Sequence, residues 1–256
     1  MPASQPVLDQ LRRKLVGAQP QHADRAIVSS GFASLDTQLP QNGLPTGSLI
    51  EWVSDAPGIR TTSIALKCAA SFLNRAGAVA IVDPHNDFNA AGLECFGIPL
   101  QRVMIVRPCP AAEWQLTQTE RSDTLWAIEQ LARCPGVRLL VTWIDRISAT
   151  AQRRLQLAVE KSGVTVFLLR PATALRQTSW ADLRFHVQSM DHVAMAEKLQ
   201  QKAGQTRAAV RLIRSKNAVQ HHGTALMDCH HEAGLVSEVP ELARPAPAAC
   251  SSAGTV

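Results

Sequence analysis

A hydrophobic strand runs through a tight turn into a helix within residues 50–66, IEWVSDAPGIRTTSIAL. An apolar strand feeding straight into a crossover helix is the unit of a parallel sheet, so this segment restricts the fold before anything else is read. The same segment has the outline of the phosphate-binding pattern G-x-x-x-x-G-K-[ST], in which glycine N–H groups curl around phosphates and a lysine reaches the outer ones. Overlaid without a gap, Ser54 takes the first glycine position, Ile59 the second and Arg60 the lysine, while Gly58, Thr61 and Thr62 remain. A β-branched isoleucine is excluded from the positive-φ geometry such a cradle needs, and a planar guanidinium does not replace a compact ammonium. The expectation is a nucleotide-binding fold that has lost hydrolysis. Nucleotide is held only if Ser54, Gly58, Arg60, Thr61 and Thr62 still cradle a phosphate.

The surrounding sequence repeats the strand-then-helix rhythm. Apolar strands are expected at 49–53, 79–83, 103–107, 139–144 and 164–170, with helices at 61–75, about 89–96, about 111–132 and 149–161. This predicts an α/β fold with a mostly parallel sheet covered by helices on both faces. After Pro171 three strand-like runs, 183–190, 208–216 and 223–231, follow with no long helix between them, so they are expected to extend the sheet in antiparallel fashion. Ahead of this domain, residues 7–17 place Val7, Leu8, Leu11 and Leu15 at helical spacing and end at Gly17. The expected organisation is an N-terminal helix and linker over 1–27, one domain over 28–236, and a Pro/Ala/Ser-rich disordered tail over 237–256.

No run approaches the roughly 18 apolar residues of a membrane span, and the first residues lack a signal-peptide core, so a cytoplasmic protein is expected. Six cysteines without a C-x-x-C pair suit reduced thiols. A metal site around Asp228, Cys229, His230, His231, His221 and His222 was weighed against a polar strand end. The strand end is preferred, because adjacent strand residues point to opposite faces while zinc needs about four converging ligands. The net charge of +5 is spread along the chain, with local clusters at Arg12-Arg13-Lys14, Arg153-Arg154 and Arg207 to Lys216. It allows an acidic partner or nucleic acid without selecting either.

Several stretches resemble the RecA recombinase fold: SGFASLDTQLPQNGLPTGSLIEW before and into the loop, GAVAIVDPHNDFNAAGLECFGIP after it, and LRFHVQSM with AAVRLIRSKNAVQHHGTALMDCHHEAGL at the end. SDTLWAIEQLARCPGVRLLVTWIDRISATAQRRLQLAVEKSGVTVFLLRP and TSWADLRF are closer still to the RecA-related ImuA family of translesion-synthesis accessory proteins, some described as SulA-like. The resemblance covers roughly 28–236. It implies a RecA-like core and a damage-inducible bacterial cassette. The partners it implies are an error-prone Y-family-like polymerase and a DnaE-type polymerase, with RecA as a further one.

Carried over position by position, the resemblance places His85 where RecA has its catalytic glutamate, and Asp145 or Trp143 at the Walker B acid. Arg214 and Lys216 fall where RecA reaches across to a neighbour's ATP, on the extension of the row formed by Val210 and Leu212. Solvated strand-end charges are the plainer account of both. The segments matching the recombinase DNA loops are short, leaving Arg176 and Trp180 as the residues that can touch DNA, and DNA binding is expected to be weak and non-specific. The leading expectation is a non-catalytic interaction module, with no cofactor. Leu11, Leu15, Arg207, Arg211, Arg214 and Lys216 are its candidate contacts. A SulA-type inhibitor of the tubulin-like division protein, or a weak DNA-dependent ATPase using Arg60, Thr61 and Mg²⁺, are the alternatives.

Overall fold

The computed structural model describes residues 25–55, 60–74, 76–108, 119–190, 205–216, 223–230 and 236–239. The expected helix over 7–17 with Leu11 and Leu15, Gly58 and Ile59 of the loop, and the expected tail beyond 239 lie outside these residues. In chain order the elements are β1 (Ile27–Val28), α1 (Ala33–Asp36), β2 (Leu44–Pro45), β3 (Leu49–Ser54), α2 (Thr61–Ala70), β4 (Ala78–Val82) and β5 (Val103–Val106). Then come α3 (Thr119–Leu131), β6 (Val137–Trp143), α4 (Ala149–Ser162), β7 (Thr165–Pro171), β8 (Leu183–Ser189), β9 (Gln205–Ser215), β10 (Thr224–His230) and β11 (Val236–Glu238). The expected helix at 89–96 is a 3-10 segment, Ala90–Phe96, opened by Asn89 and closed by Gly97 in the left-handed region.

Nine strands form one sheet in the order β11-β10-β9-β8-β3-β7-β6-β4-β5. Pairings from β8 through β5 are parallel, and those among β8, β9, β10 and β11 are antiparallel. This corrects the expectation for 183–190: β8 lies parallel to β3, and the antiparallel extension starts only at β9. The segment 172–182, with its 3-10 turn Ala172–Arg176, carries the chain from the end of β7 back to the start of β8, which makes a parallel entry possible without a long helix.

Side chains alternate between two cores, as the strand period of two requires. One face carries Ile50, Trp52, Ile81, Val141, Phe167 and Phe185 against Ile64 and Phe72 of the α2 region. The opposite face carries Leu49, Val82, Leu140, Val166 and Leu168 against Ile128 of α3 and Leu155 and Val159 of α4. Trp52 stacks on Phe185 with ring centroids 4.4 Å apart, and Phe72 meets Phe167 edge-on at 5.6 Å. Such aromatic pairs add about 0.5–1.5 kcal/mol beyond their buried area. Helix α4 is fixed at both ends: the Ser148 hydroxyl accepts from the Ala151 N–H at 3.1 Å, and Gly163 ends it at φ 78°. Gly47, at φ 61°, crosses that end so closely that a Cβ would sit 3.1 Å from Gly163 Cα.

On the α4 face, β3 buries a charge. Glu51 is fully buried, with Arg170 Nη1 of β7 at 2.5 Å from Oε1 and Arg184 Nε of β8 at 2.7 Å from Oε2. Arg170 also donates to Gln177 Oε1 at 2.6 Å and to the Asp145 carbonyl at 3.3 Å, and Arg184 donates to the Ala174 and Gln177 carbonyls. Burial, together with the nearby Arg170 and Arg214 charges, lowers the Arg184 pKa against the pull of Glu51. Removing one member of a buried ion cluster strands its partners without compensation. Glu51→Ala is therefore expected to lower unfolding stability by about 3–5 kcal/mol in urea denaturation. Arg207→Ala, which breaks a partly exposed pair with Asp228, is expected to cost about 1 kcal/mol or less.

Candidate functional site

Ligands of open parallel α/β sheets bind beyond the carboxyl ends of the strands, which here are Ser54, Val82, Trp143 and Pro171. Helix α2 starts at that edge with Thr61, one residue after Arg60. Thr61 is buried, and its Oγ1 has no hydrogen-bond partner. The Thr62 Oγ1 accepts the Trp143 indole N–H at 3.2 Å. Trp143 reaches this position because β6 alternates: Leu139 and Val141 lie in the core on the α2 side, and Trp143 continues that row, packing at 5.2 Å from Phe88. Asp145 lies beyond the strand and is exposed, so the β6 residue facing the start of α2 is the tryptophan.

Ser54 ends β3 half-buried between Pro171 of β7 and Val187 of β8. Arg60 is half-buried, and its charge acts on Cys229 of β10. Burial pushes that thiol up to about 12 even though Arg60 opposes the shift. Asp55, just past Ser54, accepts from Gln188 Nε2 at 3.1 Å and pairs with His186 Nε2. Burial would raise the Asp55 carboxyl, but these hydrogen bonds outweigh it and hold it below its ordinary value.

His85 sits exposed in the turn after β4, whose Asn86 adopts φ 56°. The residue that organises this turn is Asp83, whose carboxylate accepts from the backbone N–H groups of Asp87 at 3.4 Å and Phe88 at 3.2 Å, and from Arg107 Nε at 3.0 Å. Burial would raise the Asp83 pKa, but the Arg107 and backbone hydrogen bonds depress it overall.

The basic row on β9 divides. Arg207 forms a two-point pair with Asp228 on β10, and Arg211 is exposed with Thr224 Oγ1 at 3.4 Å. The row predicted for Arg214 changes face: Phe185 pairs with Leu212 but Arg184 pairs with Arg214, so Ile213 is the extra residue of a bulge. Arg214 thereby joins the Glu51 side of the sheet and donates to the Ser179 carbonyl. Lys216 lies 2.8 Å from Glu160 and 3.8 Å from Asp182. Arg176 ends the 3-10 turn, and Trp180 is 40% exposed beneath Arg153, whose guanidinium is 4.7 Å from the ring.

The Glu51 cluster was not singled out from the sequence. Its signal was present in a charged residue inside the apolar run LIEWVS and an arginine closing VFLLRP. Cys229 and Asp228 fall on opposite faces of β10, one in the core and the other on Arg207, while His231, His221 and His222 lie outside the described residues. Among the described residues no group of three or more His, Cys, Asp or Glu is placed to hold a metal, and no helix is long and apolar enough to cross a membrane.

No protein-family model matches the chain. Two curated relatives are similar to it, both named Protein ImuA and both from Caulobacter vibrioides, strain NA1000 / CB15N and strain ATCC 19089 / CIP 103742 / CB 15. Each is 32% identical over 142 residues, 54% of this chain and 54% of the relative. The chain thus spans about half the length of the curated relatives it matches, and over that stretch it is ImuA-like.

Two outcomes follow from this geometry. Thr61→Val replaces a buried unpaired hydroxyl with a methyl of similar shape, so the melting temperature is expected to stay level or rise. Because the folded Asp83 pKa is depressed, its contribution is present above the unfolded value of about 3.9 and is lost as pH falls through the folded one. Asp83→Asn is therefore expected to lower the melting temperature near neutrality and to flatten its decline between about pH 5 and pH 3.

Proposed function

We propose that this chain is a non-catalytic, RecA-like accessory protein of bacterial DNA-damage tolerance that works through protein contacts in a translesion-synthesis assembly. The observation that carries this reading is the similarity to ImuA over more than half of the chain. The site supports the non-catalytic part. The β6 side chain that meets the start of α2 is an indole, a donor only, so at that point it offers no carboxylate of the kind that helps to hold Mg²⁺. His85 points from an exposed turn, and Asp83 is committed to shaping that turn. In this reading no cofactor is used.

The partners in this proposal are an error-prone Y-family-like polymerase and a DnaE-type polymerase, with RecA as a third and DNA bound weakly without sequence preference. Among the basic residues predicted as contacts, Arg211 and Arg214 are exposed; Arg211 reaches Thr224 Oγ1 at 3.4 Å, whereas Arg207, Arg214 and Lys216 hold carboxylates or a carbonyl of the protein itself.

Purified protein is expected to release no phosphate from ATP, with or without single-stranded DNA. Mg²⁺-dependent turnover that vanishes in Arg60→Ala would overturn the non-catalytic reading. Interface anchors are worth about 2 kcal/mol or more, so Arg211→Glu, or removal of residues 1–17, is expected to weaken polymerase capture about 30-fold and to reduce damage-induced mutagenesis, with Arg60→Ala near the parent. Mutagenesis lost only in Arg60→Ala would point instead to a nucleotide-dependent switch.

A further inference from the structure

Trp126 is 65% exposed, more than any other large apolar side chain among the described residues. It lies on α3, and the core has no use for it, because Ala127, Ile128 and Ala132 supply the buried side of that helix end. On the adjacent α4 the buried stripe is Ala151, Gln152, Leu155, Gln156 and Val159. Leu157 falls off that stripe and is 48% exposed. The two helices are joined by Arg154 to Glu129 at 2.7 Å and by the Ser162 hydroxyl to the Ala132 carbonyl at 2.6 Å, so Trp126 and Leu157 are exposed on neighbouring helices, one turn either side of the Glu129–Arg154 pair. A tryptophan and a leucine left largely in water on neighbouring helices forgo burial that a partner can recover.

The charge around these side chains is one-sided. Arg133, Arg153, Arg154 and Lys161 border the face. Arg133 and Arg154 share the single carboxylate of Glu129, which leaves that group of three with one net positive charge, and Glu160 turns away to Lys216 and Arg25. Among the described side chains there, Asp123, exposed near the start of α3, is the remaining carboxylate. Trp and Arg in one patch are the composition of interface hot spots.

We propose that the outer face of α3 and α4 is the docking surface for an acidic segment of another protein that carries large apolar side chains. The apolar groups seat against Trp126 and Leu157, and the carboxylates meet Arg133, Arg154 and Lys161. The chain's own first residues do not complement this face, since residues 1–24 set Arg12, Arg13 and Lys14 against Asp9 and Asp24. Leu157 offers no stacking plane to a base, which favours a peptide over a single strand of nucleic acid. The inference gives the interaction module proposed above a second contact surface, apart from Arg211, and rests on that reading.

The test is selection of displayed random peptides of about 15 residues on the immobilised full chain, followed by fluorescence polarisation of the enriched sequences. Enriched peptides are expected to be acidic with large apolar residues. Their affinity should fall about tenfold or more in Trp126→Ala and in Arg154→Glu, and weaken with added salt. Both side chains face solvent, so thermal melts should show both variants folded. Absence of enrichment, enrichment of neutral or basic peptides, or acidic peptides indifferent to both substitutions would overturn the proposal. So would a labelled oligo(dT) strand that shows the sensitivity to both variants that the peptides lack. Damage-induced mutagenesis in cells carrying Trp126→Ala separates the two readings. If peptide binding is lost while mutagenesis is unchanged, the surface stands and the translesion role falls; if both are lost, both stand.

Discussion

The carboxylate of Glu51, sealed inside the sheet between two guanidinium groups, is the constraint on which the rest of this molecule depends. Its partners come from the strands on either side, Arg170 from β7 and Arg184 from β8, so one buried anion spans three neighbouring strands. A buried charge costs several kcal/mol to desolvate and is tolerated only when its partners are placed with close geometry. The pairing therefore disfavours other registers of β8 on β3, because a one-residue slip would carry Arg184 to the far face. Every antiparallel strand that follows is attached through β8.

The same cluster links the sheet to the loops at its carboxyl edge. Arg170 holds Gln177 and the Asp145 carbonyl, Arg184 holds the carbonyls of Ala174 and Gln177, and Arg214 holds the Ser179 carbonyl. The segments that follow β6 and β7 are thereby bonded back to the interior. At the start of α2 an indole spans the gap to Thr62. The carboxyl edge is thus held together by internal bonds, and the exposed apolar and basic groups Trp126, Leu157 and Arg211 lie on the flanks.

Much of the fold was legible in the sequence, and the misreadings have specific causes. The strands from 49 to 170 stood out as apolar runs bounded by turns, because strands buried on both faces need apolar side chains at nearly every position. The direction of β8 was not legible: LRFHVQSM has the same pattern parallel or antiparallel, and only the path of 172–182 decides. The face of Arg214 was misread for a related reason. Parity along β9 holds only until a bulge, and the bulge at Ile213 arises from pairing with β8 rather than from any local signature. At the site, the replacement of loop glycines was readable, but the choice between Trp143 and Asp145 required knowing which face of β6 meets α2.

By itself the sequence determined the α/β class and the similarity to ImuA, because these depend on residue type at fixed spacing. Only the tertiary structure decided that Glu51, Arg170 and Arg184 form one buried cluster, that Trp143 takes the place opposite Thr62, and that Trp126 and Leu157 stay exposed on helices joined by Glu129 and Arg154. Each of these unites residues far apart in the chain. Local pattern says which way a side chain points from its own element, but what it meets there is fixed by how the elements pack.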